Sequence, residues 1–103
     1  MVENQEKSTQ NRVAIVTGGS RGIGASIVKK LSQNNFSVIL NYKNSVESAK
    51  QIAFENSNID IFKADVSNYD EVCNLVNFAI NKYRKIDLLV NNAGIDLIKT
   101  INA

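Results

Sequence analysis

Three glycines that follow a short apolar run constrain the fold of this chain more than any other feature. The run Val-Ala-Ile-Val at 13–16 precedes glycines at 18, 22 and 24, and a helical spacing of apolar residues begins at once. Four apolar residues in a row are typical of a strand buried on both faces, as in a parallel sheet. We expect one apolar face of the following helix to carry Ile23, Ile27, Val28 and Leu31.

A strand, a glycine-rich turn and a helix N-terminus together predict an anion site. The first N–H groups of a helix have no intrahelical partner, and the helix dipole favours negative charge beside them. Glycine permits positive φ and lets a phosphate approach the backbone. The spacing matches neither G-x-G-x-x-G nor the P-loop, because no lysine follows Gly24. From the loop alone, a turn that binds nothing remains the alternative.

The rest of the chain alternates strand and helix patterns. Strands are predicted at 36–42, 59–63 and 86–90, and helices at 22–34, at 44–56 and from Ser67 to about Tyr83. Asn44 and Ser67 are the expected caps of the second and third helices, and Asn34 with Asn35 the left-handed end of the first.

This alternation predicts the α/β class, as a Rossmann-like doubly wound parallel sheet. About four strands in the order 3-2-1-4, with three helices, would make the sheet incomplete. Residues 1–11 are expected to be a disordered lead, and 12–103 a truncated dinucleotide-binding domain. The order brings the end of strand 4 beside the end of strand 1, so the glycine turn and residues 91–94 should meet.

Composition excludes several classes of function. The 103 residues carry a net charge of +2 without a basic run beyond two lysines, which argues against nucleic-acid binding. No apolar run has the length of a membrane span, and the start lacks a signal-peptide pattern, so a cytoplasmic protein is expected. One cysteine and no histidine argue against a metal cluster and against Ser-His or Cys-His catalysis.

Four motifs resemble the short-chain dehydrogenase/reductase family. They are the loop Thr17-Gly18-x-x-x-Gly22-x-Gly24, the pair Asp65-Val66, the run Asn91-Asn92-Ala93-Gly94 and the Asp87 that precedes it. Their order and spacing cover about residues 12–98. The resemblance implies an oxidoreductase that transfers hydride between a nicotinamide dinucleotide and a carbonyl or alcohol. Taken singly, Asp65 would be an ordinary turn residue, and Asn91 and Asn92 ordinary polar residues at a strand end.

The resemblance also implies a set of cofactor-binding residues. Asp65 and Val66 would contact the adenine, and residues 91–94 would line the cofactor and stiffen the sheet centre. The full set is Gly18, Ser20, Arg21, Gly22, Ile23, Gly24, Asn41, Tyr42, Lys43, Asp65, Val66, Asn91, Asn92, Ala93 and Gly94.

Charge favours NADP(H) over NAD(H). An NAD site offers a carboxylate about twenty residues after the glycine loop, and by alignment with the family that position is Tyr42, with no acid before Glu47. Arg21 and Lys43 are placed to meet a 2′-phosphate. The alternative is that both are solvated surface cations.

No catalytic residue is predicted in these 103 residues. The family's Ser and Tyr-x-x-x-Lys lie downstream of Asn-Asn-Ala-Gly, whereas the tyrosines here, at 42, 69 and 83, are followed four positions later by valine, cysteine and aspartate. The chain alone is therefore expected to be inactive. The sequence most resembles 3-oxoacyl-carrier-protein and acetoacetyl-coenzyme A reductases. The resemblance also implies that complete members of the family are usually homo-oligomers. A truncated, non-catalytic nucleotide-binding or interaction protein is the alternative.

Overall fold

Seven helices and strands alternate over residues 11–93, as the sequence pattern predicts. A computed structural model describes residues 11–93, and residues 1–10 of the lead predicted at 1–11 lie outside them. The elements are β1 Val13–Val16, α1 Gly22–Gln33, β2 Ser37–Tyr42, α2 Val46–Glu55, β3 Ile59–Lys63, α3 Tyr69–Tyr83 and β4 Leu88–Val90.

The four strands form one parallel sheet in the order β3-β2-β1-β4, which confirms the predicted topology. Val16, the last residue of β1, pairs with Leu40 on one side and with Val90 on the other. Because β1 is central and paired on both sides, the loop that leaves it lies between the ends of β2 and β4. This position is the topological switch point, where the order of the strands reverses and where doubly wound sheets bind ligands.

Helices cover both faces of the sheet. On one face α3 packs its Val72, Leu75 and Ala79 against β1 and β2 side chains. On the other face α1 and α2 contribute Val28, Ala49 and Ile52 to a second apolar cluster with alternate residues of the same strands. The central strands are therefore buried on both faces, which explains their uninterrupted apolar sequence.

Two of the predicted helix caps are wrong. Ser45 rather than Asn44 precedes α2, and its side chain makes no capping hydrogen bond. In α3 the cap is Asn68, whose Oδ1 accepts a hydrogen bond from the Glu71 N–H at 3.1 Å. The Ser67 hydroxyl instead donates to Asp65. The left-handed end of α1 is confirmed, with φ of 68° at Asn35.

Strand β4 is shorter than predicted because a side chain replaces part of its backbone ladder. Asp87 donates its N–H to the Val13 carbonyl, and its carboxylate accepts the Val13 N–H, each at 2.8 Å. The regular strand then runs only from Leu88 to Val90.

Ile23, which was predicted on the apolar face of α1, is exposed, and so is Ile80 of α3. Ile23 is 74% exposed, in the first turn of α1, where Gly24 lies against the Gly18 carbonyl and Asn92. Ile80 is 39% exposed. Among residues 11–93, α3 is the only helix on its face of the sheet, so the flanks of this helix have no helical neighbour.

Candidate functional site

The glycine loop, residues 17–24, begins directly after the central strand. Gly18 and Gly22 adopt φ of 63° and 58°, in the left-handed region that side chains disfavour. No heavy atom lies within 4 Å of the position that a Cβ on Gly22 would occupy. The loop therefore presents open backbone at this point, beside the N-terminus of α1.

Gly24 is required by packing. A Cβ there would come 2.2 Å from the Gly18 carbonyl oxygen and 2.6 Å from Asn92 Nδ2. These distances are far inside van der Waals contact, so the first turn of α1 rests on the loop without space for a side chain.

The end of β4 is bonded to the glycine loop, which confirms that the two segments meet. Asn92 Nδ2 donates to the Gly18 carbonyl at 2.9 Å. The buried Thr17 hydroxyl accepts the N–H groups of Asn92 and Ala93, at 3.0 and 3.1 Å, and it lies 3.4 Å from Asn91 Oδ1. Gly94, the last residue of the predicted motif, lies outside the described residues. Thr17 thus ties together the loop and the strand end.

Asn41 has a buried role that the sequence did not reveal. Its side-chain Oδ1 accepts the Gly18 N–H at 3.3 Å, and its Nδ2 donates to the carbonyls of Ala64 and Phe62 at 3.0 and 3.4 Å. The residue is 2% exposed. Its amide therefore joins the glycine loop to the end of β3, and contact of this residue with a cofactor stays a prediction.

Two adjoining clefts open at this edge of the sheet, and Gly18 and Lys43 line both of them. The first, of about 310 Å³, is lined by Gly18, Ser20, Arg21, Tyr42, Lys43, Asn44, Ser45 and Asn92. The second, of about 230 Å³, is lined by Gly18, Asn41, Lys43, Ala64, Asp65, Val66, Ser67 and Ala93.

The predicted residues are distributed over this edge in different settings. Arg21 is exposed in extended conformation directly before α1. Ser20, Tyr42 and Val66 are buried residues that line a cleft. Ile23 lines neither cleft and faces solvent.

Asp65 is held in place by its neighbours. Its Oδ1 accepts the Ser67 hydroxyl at 2.6 Å and the Ser67 N–H at 3.0 Å, while its own N–H donates to Glu71 Oε1 at 2.8 Å. Oδ2 lies 3.4 Å from Lys43 Nζ. The hydrogen bonds from Ser67, and then the Lys43 charge, hold the pKa of the Asp65 carboxyl below its usual 3.8.

Sequence reasoning missed Thr17 as a connector and Asn44, Ser45 and Ser67 as lining residues. The position of three of these residues in the sequence could have identified them. The last three follow the carboxyl ends of β2 and β3, where parallel sheets gather their functional residues. The Lys43–Asp65 pair was missed for the same reason, since these residues follow neighbouring strand ends.

Residues 11–93 contain neither a candidate metal site nor a candidate membrane span. No group of three or more His, Cys, Asp or Glu side chains there could hold a metal ion. None of the three helices there is long and apolar enough to cross a bilayer.

The sequence matches the family model described as short chain dehydrogenase over residues 12–103. The chain belongs to the short-chain dehydrogenase/reductase family. Among its relatives is the 3-oxoacyl-[acyl-carrier-protein] reductase FabG of Staphylococcus aureus strain Mu50, which is 40% identical over 86 residues, covering 80% of this chain and 35% of that protein. The chain spans little more than a third of the length of the curated relatives that it matches.

Solved structures of the family share this fold. The 3-ketoacyl-(acyl-carrier-protein) reductase from Brucella melitensis, complexed with NADH, matches with a TM-score of 0.76 and 32% identity over 82% of this chain and 34% of its own. The F189W actinorhodin polyketide ketoreductase with NADPH matches with a TM-score of 0.77 and 30% identity over 84% and 34%. Family members thus bind nicotinamide dinucleotides of either kind.

Proposed function

We propose that this chain is the cofactor-binding part of an NADP(H)-dependent reductase that acts on ketones, of the 3-oxoacyl kind. The observation that carries the proposal is the junction of the glycine loop with Asn92. It fixes an open backbone turn at a helix N-terminus, directly beside two clefts. Backbone N–H groups in such a turn bind phosphate without any side chain.

The residues present fit a dinucleotide. The open space over Gly22 leaves room for a diphosphate near the positive end of α1. The second cleft has apolar walls at Ala64, Val66 and Ala93 and a carboxylate at Asp65, which suits a purine ring that donates through its amino group. A bound nicotinamide would supply the hydride, and the residues that line the two clefts would hold the adenosine and phosphate parts of the same dinucleotide.

Charge at the first cleft supports NADP(H). Arg21 and Lys43 both line this cleft, and Tyr42 stands where an NAD site carries an acid. Guanidinium and ammonium groups bind phosphate through charge-assisted hydrogen bonds. Asp65 reduces this advantage, because its carboxylate lies 3.4 Å from the Lys43 ammonium.

The cofactor proposal is tested by measuring the binding constants of the 103-residue chain for NADPH and NADH by isothermal titration calorimetry. We expect tighter binding of NADPH. Arg21→Ala and Lys43→Ala should each weaken NADPH by about tenfold, roughly one charge-assisted hydrogen bond, and leave NADH nearly unchanged. The matched control is Lys29→Ala, because Lys29 is an exposed residue of α1 that lines neither cleft. Tighter binding of NADH by the unmodified chain would overturn the NADP(H) assignment.

The catalytic part of the proposal has its own test. Residues 1–103 contain no Tyr-x-x-x-Lys, so we expect the 103-residue chain to bind cofactor without oxidising it in the presence of a 3-oxoacyl thioester. A longer protein that contains this chain together with a Tyr-x-x-x-Lys segment should consume NADPH with that substrate. If the longer protein binds cofactor and reduces no ketone, the reductase proposal fails and a nucleotide-binding role stands.

A further inference from the structure

We propose that Asp65 is a positioning residue that weakens the discrimination between NADP(H) and NAD(H) by holding the Lys43 ammonium away from the 2′-phosphate. This inference rests on the proposed function of the first cleft. Its basis is the ion pair between Lys43 Nζ and Asp65 Oδ2, at 3.4 Å, on the boundary of the two clefts.

The two partners differ in how firmly they are held. Asp65 is fixed through Oδ1 by the Ser67 hydroxyl and N–H, and through its own N–H by Glu71. Lys43 has a side chain that is 63% exposed, and it extends from a residue just past β2. The carboxylate is therefore the fixed member, and the flexible lysine side chain moves to meet it.

The two clefts place different negative groups near the Lys43 ammonium. Lys43 lines the first cleft together with Arg21, and it lines the second cleft together with Asp65. A phosphate in the first cleft attracts the ammonium, while Asp65 in the second retains it. A 2′-phosphate consequently competes with a carboxylate already in place, and the lysine contributes less to selectivity than a free lysine would.

The size of the effect follows from the exposure of the pair. Exposed ion pairs stabilise by at most about 1 kcal/mol, so releasing Lys43 should change affinity for the 2′-phosphate by about two- to fivefold. Substituting Asp65 should change only the contact of Lys43 with the 2′-phosphate. The effect is therefore measured as a ratio of two affinities, one for a ligand with the 2′-phosphate and one for a ligand without it.

The probes are 2′,5′-ADP and 5′-AMP, which differ only in the 2′-phosphate. Binding of both to the full chain is measured by calorimetry at fixed pH and salt, for wild type, Asp65→Asn, Lys43→Ala and the double variant. We expect Asp65→Asn to raise the selectivity ratio, Kd for 5′-AMP divided by Kd for 2′,5′-ADP, by about two- to fivefold. Any contact of Asp65 with the purine affects both probes and cancels in the ratio.

The double variant separates positioning from simple repulsion. If Asp65 acts through Lys43, then Asp65→Asn has no effect on the ratio once Lys43 is alanine. An equal rise in both backgrounds would show direct repulsion of the phosphate and overturn the proposal. Asp70→Asn, which removes an exposed carboxylate in the first turn of α3, is the control for net charge.

Other outcomes distinguish this inference from the function on which it rests. Tighter binding of 2′,5′-ADP by wild type with an unchanged ratio in Asp65→Asn overturns the inference and leaves the NADP(H) assignment intact. A ratio near one in wild type that rises in Asp65→Asn supports the inference and contradicts the NADP(H) preference. Failure of every folded variant, checked by circular dichroism, to bind either probe overturns both. Should Asp65→Asn fail to fold, Asp65→Ser removes the same carboxylate and should shift the ratio in the same direction as Asp65→Asn.

Discussion

The glycine loop and the Lys43–Asp65 pair lie at the same edge of the sheet, yet they are built in opposite ways. The loop is held by backbone and buried groups, with Gly24 packed on the Gly18 carbonyl and Thr17 bonded to the end of β4. The pair consists of partly exposed side chains, 63% and 33% accessible, joined by one ion pair.

This difference separates two properties of a nucleotide site. A rigid backbone turn can supply affinity for the diphosphate that every nicotinamide dinucleotide carries. A substitution in this turn would disturb its packing against β1 and β4. Exposed side chains can change with little cost to the fold. We therefore expect substitutions in the loop to act mainly on stability, and substitutions in the pair to act mainly on ligand choice.

The largest expected effect is at Gly24. Gly24→Ala places a methyl group 2.2 Å from the Gly18 carbonyl oxygen, so the loop must move, at a cost of about 3 kcal/mol in the free energy of unfolding. Gly22→Ala, at an open position with positive φ, should cost only about 1 kcal/mol. Urea unfolding of both variants measures the difference. Greater destabilisation by Gly22→Ala would contradict the packing argument.

A smaller loss is expected at Thr17. Thr17→Val keeps the shape and removes the oxygen that accepts the Asn92 and Ala93 N–H groups, at about 2 kcal/mol for donors left without a partner. Thr17→Ser retains the hydroxyl, loses one buried methyl group and serves as the control. Urea unfolding compares both variants with wild type, and a valine variant as stable as wild type would show that these hydrogen bonds contribute nothing.

Lys43 should have almost no effect on stability. Because its side chain is mostly exposed, Lys43→Ala is expected to stay within about 0.5 kcal/mol of wild type in the free energy of unfolding. The same variant should lose selectivity for 2′,5′-ADP over 5′-AMP. A destabilisation as large as that of Thr17→Val would abolish the proposed contrast between the two regions.

The parts of the fold that could be predicted are those governed by local pattern. The apolar run at 13–16 and the glycines after it define β1, the loop and α1, and the strand order follows from the rules for parallel crossovers. The meeting of the loop with residues 91–93 follows from that order. Ile23 was placed wrongly because periodicity shows which residues share a helix face but not how much of that face is covered.

The less predictable parts depend on loop geometry. Asn41 alternates along β2 like any strand residue, and only the folded loops show that its amide meets the backbone of Gly18 and Ala64. Lys43 and Asp65 are brought together by the register in which Tyr42 pairs with Lys63. Topology indicates that the two residues are neighbours, but the ion pair depends on the side-chain rotamer, which no sequence pattern fixes.

The smallest expected effect is on acid stability, and it concerns the pair alone. Ser67 hydrogen bonds and the Lys43 charge lower the pKa of Asp65 from 3.8. A carboxyl with a lowered folded-state pKa stabilises the fold above its unfolded pKa, and this contribution is lost as pH falls through the folded value. The difference in melting temperature between wild type and Asp65→Asn should therefore be constant from about pH 5 to 8 and shrink below about pH 4. Circular dichroism melts across this range, with Asp70→Asn as the control, measure it. A difference that instead grows as pH falls would mean that the charged carboxylate does not stabilise this loop, and that the Asp65 position depends on the Glu71 contact to its backbone N–H.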